Sequence, residues 1–555
     1  MFQSVTPSDD LTRILALPRR EPEDLVALAA ELTLCLRVPG STETLRPLQA
    51  LALRDIGTLG GACVFLDVGI GKTLISLLTP FVLDLPWAMM VLPANLIEKT
   101  RLDIERYAKD WHVCRSILLV SYQMLGRIQA AGELDRLAPP CIIFDEAHYL
   151  KNEDATVTRR VAKRLARAPE TRVVVMTGSQ MRTSLYDWAH LAVWALGKSA
   201  PIPLNQNELY EWASALDERV GVNELERYEV GALTALASPE DLATHEDRKA
   251  VRRGFQRHIA NTPGVVTMGS TEIVAEHYTI AINALRYDVS EVTKAHTARL
   301  RGDFVTPDDW DITPVDVWRH SRELAVGYHG VWDPRPPADW ASARKRWFQF
   351  VRHVLAHSSW LDSPEEVMAA SLRGDLSREH LDPWLRIKET FIPHTKAVWH
   401  DDTALRLAAK WMAVTPGIVW VEHVPFGTRL AELTGATYYR QKGRSEAGAF
   451  IDHDPGTRSI IVSVKANKEG RNLQDKWNRN LITAPRDGAD EWNQMLGRTA
   501  RSGQLRPITV DVFLGCREHH TAWQRALSAA RTIRDTVGAP SRLLMATRHG
   551  FDTND

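Results

Sequence analysis

Residues 141–148 read CIIFDEAH, four mainly apolar residues that run directly into two carboxylates and a histidine. Such a run is typical of a buried strand in a parallel sheet, whose carboxyl end opens onto the ligand crevice. Asp145 and Glu146 would lie at that crevice, where one carboxylate can hold a magnesium ion while its neighbour orients a water molecule for attack. The alternative is a strand that ends in a solvated acidic turn.

A glycine-rich turn upstream favours the functional interpretation. Residues 62–66 (ACVFL) predict a buried strand, and the sequence GIGKT follows at 69–73, directly before a helical pattern. Glycines let backbone amides turn around phosphate oxygens at a helix amino terminus, Lys72 neutralises the terminal phosphates and the Thr73 hydroxyl ligates magnesium. A chance match to this pattern becomes less plausible beside the acid pair.

Further apolar runs complete a sheet around these two segments. The additional strand candidates are residues 88–92, 117–120 and 172–176. Five strands alternating with helices predict a doubly wound parallel α/β domain from about residue 41 to 200, preceded by a helical lead-in at 1–40. Thr177 and Ser179 follow the last strand, and their hydroxyl groups suit a hydrogen-bonded link between a nucleotide and a moving partner, although a simple turn is the alternative.

Length and composition limit the number of domains and the class of protein. The 555 residues are too many for one hydrophobic core and predict about three domains. Lys and Arg number 68 against 69 Asp and Glu, so the overall charge favours no particular partner. The five cysteines are scattered and read as reduced core residues of a cytoplasmic protein. No apolar run approaches the length of a membrane span, which argues against a membrane protein.

Residues 201–400 predict a mainly helical insertion. Two clusters there, at 248–253 and 344–347, combine cationic side chains with nearby aromatic ones, as a surface that follows a nucleic-acid backbone would. The alternative is a pair of solvated helix faces. The tryptophans between Trp310 and Trp399 are expected to be packing residues rather than platforms for bases.

A second α/β segment is predicted at 401–540, followed by a tail at 541–555. Its strand candidates are residues 417–421, 459–464 and 508–512. It has no phosphate loop, but residues 494–504 read QMLGRTARSGQ, with Arg498 and Arg501 on one helical face. Arginine suits the clamping of a transferring phosphoryl group, because it is planar, permanently charged and bidentate. Taken alone, both arginines could be surface charges.

Together these segments resemble the motifs of superfamily 2 helicases. Residues 69–73 look like motif I (the Walker A motif), 145–148 like the DEAH box of motif II, and 177–179 like motif III, while 470–474 and 494–504 are similar to motifs V and VI. Leu150-Lys151-Asn152 and the upstream sequence LRPLQ at 45–49 resemble the Swi/Snf-like, chromatin-remodeller-type translocases. The resemblance implies that the chain is a distant member of that family from a bacterium or a phage.

The resemblance implies two RecA-like domains that bind ATP and Mg²⁺, separated by the helical insertion. The implied nucleotide-binding residues are Gln49 at the adenine, Gly69, Gly71, Lys72, Thr73 and Gln494, with Thr73 and Asp145 at the metal. The implied catalytic residues are Lys72, Asp145, Glu146, Arg498 and Arg501. The residues expected to couple the nucleotide to DNA are His148, Thr177, Ser179, Gly470 and Asn472.

The implied activity is ATP-dependent translocation along DNA, with duplex preferred and a single strand possible, in the cytoplasm of a bacterium or a phage-infected host. A strand-separating helicase on forked DNA or RNA is one alternative. A non-catalytic nucleotide-gated scaffold is another, although intact Lys72, Glu146 and Arg501 argue against it. The chain could also be the translocating subunit of a replication, repair or defence assembly.

Overall fold

The computed structural model describes residues 3–66, 69–127, 130–178, 184–217, 228–268, 278–358, 361, 363–468, 471–501, 503–538 and 541–551. The chain divides into two compact units, the first formed by residues 1–275 and 529–541 and the second by residues 276–528 and 542–555. Each unit contains a parallel β-sheet with helices before and after its strands. This is the predicted α/β class, with two RecA-like domains.

The sheet of the first unit is wholly parallel. Its strands are β1 (Ala62–Phe65), β2 (Ala88–Leu92), β3 (Ile117–Ser121), β4 (Cys141–Asp145), β5 (Arg172–Met176) and β6 (Val265–Thr267). Their order is β3-β2-β4-β5-β1-β6. Every residue of β1, β2 and β4 is buried, as expected where helices cover both faces of a parallel sheet. The five predicted strands are confirmed, whereas β6, beyond residue 200, was not predicted.

Helices connect these strands and cover the sheet. They are α1 (Asp9–Ala16), α2 (Leu25–Leu36), α3 (Pro47–Leu59), α4 (Lys72–Val82), α5 (Ile97–Tyr107), α6 (Tyr122–Leu125), α7 (Ala130–Leu137), α8 (Thr156–Arg167), α9 (Ala189–Leu196), α10 (Gln206–Leu216), α11 (Pro239–Thr244) and α12 (Asp247–Ala260). Pro47 stands in the first turn of α3, where a missing N–H costs no hydrogen bond. The helix α4 begins at Lys72, directly after the glycine-rich turn.

The second unit has a larger parallel sheet and a separate antiparallel ribbon. Its strands are β7 (Ile280–Arg286), β8 (Tyr328–Trp332), β9 (Thr395–Trp399), β10 (Ile418–Val421), β11 (Tyr438–Tyr439), β12 (Ile460–Ser463), β13 (Arg479–Ile482), β14 (Ile508–Leu514) and β15 (Thr547–His549). Seven of them form the sheet β11-β12-β10-β13-β14-β7-β15, and β8 pairs with β9. The predicted β10, β12 and β14 are confirmed, and the other strands were not predicted.

The region between the predicted domains is mainly helical and also contributes β6 to the first sheet and β7 to the second. The remaining helices in the described residues are α13 (Glu291–Gly302), α14 (Pro314–Ala325), α15 (Ala338–His357), α16 (Pro364–Arg373), α17 (Leu381–Ile387), α18 (Thr403–Val414), α19 (Val424–Thr434), α20 (Val464–Asn467), α21 (Ala489–Leu496), α22 (Arg517–Val537) and α23 (Arg542–Met545). Among the described helices, none combines the length and apolar character needed to span a bilayer.

Candidate functional site

The strand order of the first unit brings the predicted phosphate and acid motifs to one edge. Strand β5 lies between β1 and β4, so that Met176 is in register with both Val64 and Asp145. The backbone N–H of Thr177 donates to the Val64 carbonyl at 3.1 Å. Because the strands are parallel, their carboxyl ends share one edge, and helix α4 starts there with Lys72.

The glycine-rich turn has a backbone that only glycine adopts without strain. Gly69 and Gly71 have φ angles of +94° and +88°. A β-carbon on Gly71 would lie 2.3 Å from Nε2 of Gln49. Lys72 is buried, and its Nζ donates to the Leu66 carbonyl at 2.7 Å, which holds the amine beneath the turn.

Two side chains at the start of α3 brace this turn. Gln49 is buried, and its Oε1 accepts from the Arg46 backbone N–H at 2.9 Å. Its Nε2 donates to the carbonyls of Ile70 (3.1 Å) and Gly71 (3.3 Å). Arg46 Nη1 donates to the Gly69 carbonyl at 3.1 Å. The side-chain amide of Gln49 therefore holds the phosphate turn. A contact between Gln49 and adenine stays a prediction.

The first acid is buried at the edge of the sheet. Burial and the neighbouring charge of Glu146 together raise the pKa of Asp145 to about 6, against the opposing effect of the Lys72 ammonium group. Asp145 Oδ1 accepts from the Glu146 N–H at 3.1 Å, and the hydroxyl of Tyr122 donates to the Asp145 carbonyl at 2.8 Å. A buried carboxylate under this penalty gains from a bound cation.

The second acid stands on an unusual backbone. Glu146 is left-handed, with φ 55° and ψ 50°, a conformation that costs about 1–2 kcal/mol for a residue other than glycine. His148 Nδ1 lies 3.3 Å from Glu146 Oε2. The His148 ring also lies 4.8 Å from that of Tyr149. The turn thus directs Glu146 differently from Asp145 and places His148 against it.

The residues at this edge fit a nucleotide with magnesium. A β-carbon would disturb the turn at Gly71, as expected where backbone amides enclose phosphate oxygens. The Thr73 hydroxyl and the Asp145 carboxylate are hard oxygen ligands of the kind that Mg²⁺ prefers. Lys72 adds the positive charge that the terminal phosphates require.

In the second unit the predicted arginines differ in their surroundings. Arg498 is 2% exposed, and its Nε and Nη1 donate to the carbonyls of Gln494 (2.9 Å) and Arg471 (3.0 Å). Arg501 is half-buried, and its Nη1 donates to Asn472 Oδ1. Arg498 therefore joins the end of α21 to the loop before β13. Arg501 is the more accessible guanidinium.

The remaining predicted residues fall at several places. Asn472 is exposed, and the structure brings it together with Arg501. Gln494 is buried, and within the described part of the chain its Oε1 has no hydrogen-bond partner. Ser179 and Gly470 lie outside the described residues.

Similarity of this chain to known proteins was found among solved structures. No family model matches the chain, and no curated protein matches its sequence. Among solved structures, the chain is similar to the SWI2/SNF2 ATPase core of Sulfolobus solfataricus in complex with double-stranded DNA. The sequence identity is 14% and the TM-score is 0.32, over 89% of this chain and 95% of that one.

Sequence reasoning missed two contributors to the site. Arg46 lies in the quoted sequence LRPLQ, but nothing in its spacing indicated a bond to Gly69. Tyr122 is the first residue of α6, directly after the third strand, and its bond to the Asp145 carbonyl depends on β3 and β4 flanking β2. Both contacts join segments that are distant in sequence.

Proposed function

We propose that the chain is an ATP-dependent DNA translocase that prefers duplex DNA. The proposal rests on one observation, the placement of Lys72 with Asp145 and Glu146 at the carboxyl edge of a parallel sheet, after a glycine-rich turn. A buried ammonium group beside two carboxylates suits the binding and hydrolysis of a nucleoside triphosphate. The preference for duplex rests on the motif resemblance to Swi/Snf-like translocases.

The residues of the first unit would divide the chemistry between them. Lys72 would neutralise the terminal phosphates of ATP, and Thr73 and Asp145 would hold Mg²⁺. When bound, the magnesium ion would offset negative charge on the phosphate oxygens. Glu146 would orient the attacking water, with His148 holding that carboxylate in place.

The second unit would supply the response to the nucleotide. Arg501 would stabilise the charge that develops on the transferred phosphoryl group, and Arg498 would keep the loop with Arg471 in position for it. Thr177 and Asn472, with Ser179 and Gly470, would link hydrolysis to movement along the DNA backbone. Hydrolysis would then depend on nucleic acid.

The test is steady-state ATP hydrolysis by the full chain without nucleic acid and with duplex DNA, single-stranded DNA or RNA. We expect strong stimulation by duplex, and a loss of about 100-fold or more in kcat for Glu146→Gln, since proton transfer and water orientation contribute about 10²–10⁴-fold. Glu170→Gln removes an exposed carboxylate of the same unit and should change nothing.

The outcomes separate the candidate functions. Stimulation by single strands alone would replace the duplex translocase with a strand-separating helicase. Absence of hydrolysis with every nucleic acid would reject the motor and favour a nucleotide-gated scaffold. Equal turnover by wild type and Glu146→Gln would reject the role given to the acid pair.

A further inference from the structure

A deep cleft of the second unit is remote in sequence from the nucleotide motifs. Its volume is about 1050 Å³, and it is lined by helix α15, by the ribbon of β8 and β9 and by residues 306–319. These elements all belong to the predicted helical insertion. No residue that the sequence analysis assigned to the nucleotide site lines this cleft.

One wall of the cleft carries a stripe of cations. Arg344, Phe348 and Arg352 stand about one helical turn apart on α15, Lys345 is the neighbour of Arg344, and all four are exposed. From Arg344 to Arg352 the stripe spans about 12 Å at 1.5 Å per residue. None of its three cations forms an ion pair within the described part of the chain. These positive charges therefore face the cleft without a carboxylate partner.

Five acids line the cleft, and within the described part of the chain all of them except Asp311 lie beside a basic side chain. Asp309 pairs with Arg299, and Glu323 lies 3.2 Å from the ring of His320. Asp308 lies 3.2 Å from Arg335 and 3.3 Å from the ring of His329. Asp316 lies 3.9 Å from Arg319. The charge left for a ligand is therefore mainly that of the stripe, and the cleft favours an anion.

The other cationic cluster of the insertion does not offer such charges. Arg248 Nε donates to the Ala215 carbonyl at 2.8 Å, and Arg252 donates to the Leu216 carbonyl at 2.6 Å, at the end of α10. Arg253 lies 3.0 Å from Asp241. Arg248 and Arg252 thus close the end of α10 and Arg253 pairs with an acid, so the arginines of this cluster are engaged by the protein itself.

Aromatic rings accompany the cations in the cleft. Phe348 is 38% exposed within the stripe, and Trp310 and Trp332 are half-buried in the lining. Trp340 is buried, with the Arg344 guanidinium 5.7 Å from its ring. The Arg344 guanidinium also lies 5.4 Å from the centre of the Phe348 ring, and that ring keeps 38% of its residue surface exposed. Exposed aromatic surface beside spaced cations suits a chain of phosphates with accessible bases. A duplex keeps its bases stacked inside, and an acidic peptide makes no use of the rings.

We propose that this cleft binds an unpaired nucleic-acid strand, with the phosphates on Arg344, Lys345 and Arg352 and a base stacked on Phe348. The inference deepens the proposed function, on which it rests, by giving the insertion a second contact with the track. A strand held here would be one that leaves the duplex or flanks it.

Binding is measured by fluorescence anisotropy of labelled 20-mers with the full chain and no nucleotide. The probes are oligo(dT), oligo(rU), a duplex and, as a competitor, polyglutamate. The stripe variant combines Arg344→Ala, Lys345→Ala and Arg352→Ala. Lys345→Ala is also compared with Arg346→Ala, its exposed neighbour outside the cleft lining. Thermal melting checks that each variant folds.

For single strands, we expect the slope of log affinity against log salt to be less steep by about 2 in the stripe variant, since each phosphate contact contributes about 0.7. Phe348→Ala should weaken binding about fivefold or more, as expected for the loss of one stacked base. Lys345→Ala should lower the slope, and Arg346→Ala should not. An oligo(dT) that carries a photoreactive base should crosslink within 340–352.

Other outcomes overturn the inference. If the stripe variant and Arg346→Ala had equal slopes of log affinity against log salt, the cleft would not be a nucleic-acid-binding site. Stripe-dependent binding of the duplex alone, or competition by polyglutamate as strong as by DNA, would assign the cleft to duplex or to an acidic peptide. Comparison of oligo(dT) with oligo(rU) identifies the sugar that is preferred. Because the binding assay contains no ATP, it tests the cleft even if the chain does not hydrolyse ATP.

Discussion

Replacing Gly71 with alanine should disable the phosphate turn through its contact with Gln49. The left-handed backbone at Gly71 costs about 1–2 kcal/mol for alanine. Its β-carbon would lie 2.3 Å from Gln49 Nε2 and displace the amide from the Ile70 and Gly71 carbonyls. Two lost hydrogen bonds add about 1–3 kcal/mol at 0.5–1.5 kcal/mol each. The total of about 2–5 kcal/mol corresponds to roughly 30-fold or more in affinity.

The assay is the binding of a fluorescent ATP analogue to wild type, Gly71→Ala, Gln49→Ala and the double variant. Both single variants lose the same two hydrogen bonds, so the double variant should bind about 1–3 kcal/mol more tightly than the sum of the single losses predicts. Gly132→Ala, which adds a methyl group in open space, is the control. Additive losses, or normal binding by Gly71→Ala, would refute the role of Gln49 as a brace.

The same variants test the predicted adenine contact. If Gln49 only braces the turn, Gln49→Ala should weaken ATP and GTP binding by the same factor. If it also contacts adenine, the preference for ATP over GTP should fall, because the base-specific hydrogen bonds are lost. Competition of the two nucleotides against the fluorescent analogue distinguishes these results.

Two further predictions concern buried polar groups. Arg498→Ala should destabilise the second unit by about 2 kcal/mol or more, because the carbonyls of Gln494 and Arg471 lose charged donors. Arg501→Ala should lower turnover with little change in melting temperature. Equal melting temperatures of the two variants would contradict this difference. Burial raises the pKa of Asp217 from 3.8 to about 7, so the folded state binds more protons than the unfolded state between these pH values, and stability falls as pH rises through them. Asp217→Asn should therefore raise the stability of the first unit at pH 8, by at most about 4 kcal/mol, and have a smaller effect at pH 5. Denaturant melts at both pH values measure this gain, and an equal effect at the two would reject the assignment.

Much of the candidate nucleotide site could be predicted from the local sequence. The run at 141–145 is wholly apolar until its final acid, and only a strand covered on both faces accounts for such a run ending in a carboxylate. GIGKT predicted a glycine-rich turn followed by a helix, and both are present, with left-handed glycines at 69 and 71 and a helix that begins at Lys72, two residues earlier than predicted. Two of the strands that the sequence missed, β6 and β13, have only three or four residues, too few for a recognisable period. Strand β7 has seven residues, but it lies in the region that was predicted to be mainly helical.

The sequence of the chain determined which residues could do chemistry, because strand, turn and helix preferences act over a few neighbouring residues. Tertiary structure decided what each one touches. Gln49 and Arg46 brace the phosphate turn, since α3 lies beside it. Arg248 and Arg252 of the 248–253 cluster close a helix end, whereas the cations of the α15 stripe face a cleft. These clusters have similar composition, and the packing of distant segments decides which of their arginines are held by the protein's own carbonyl groups.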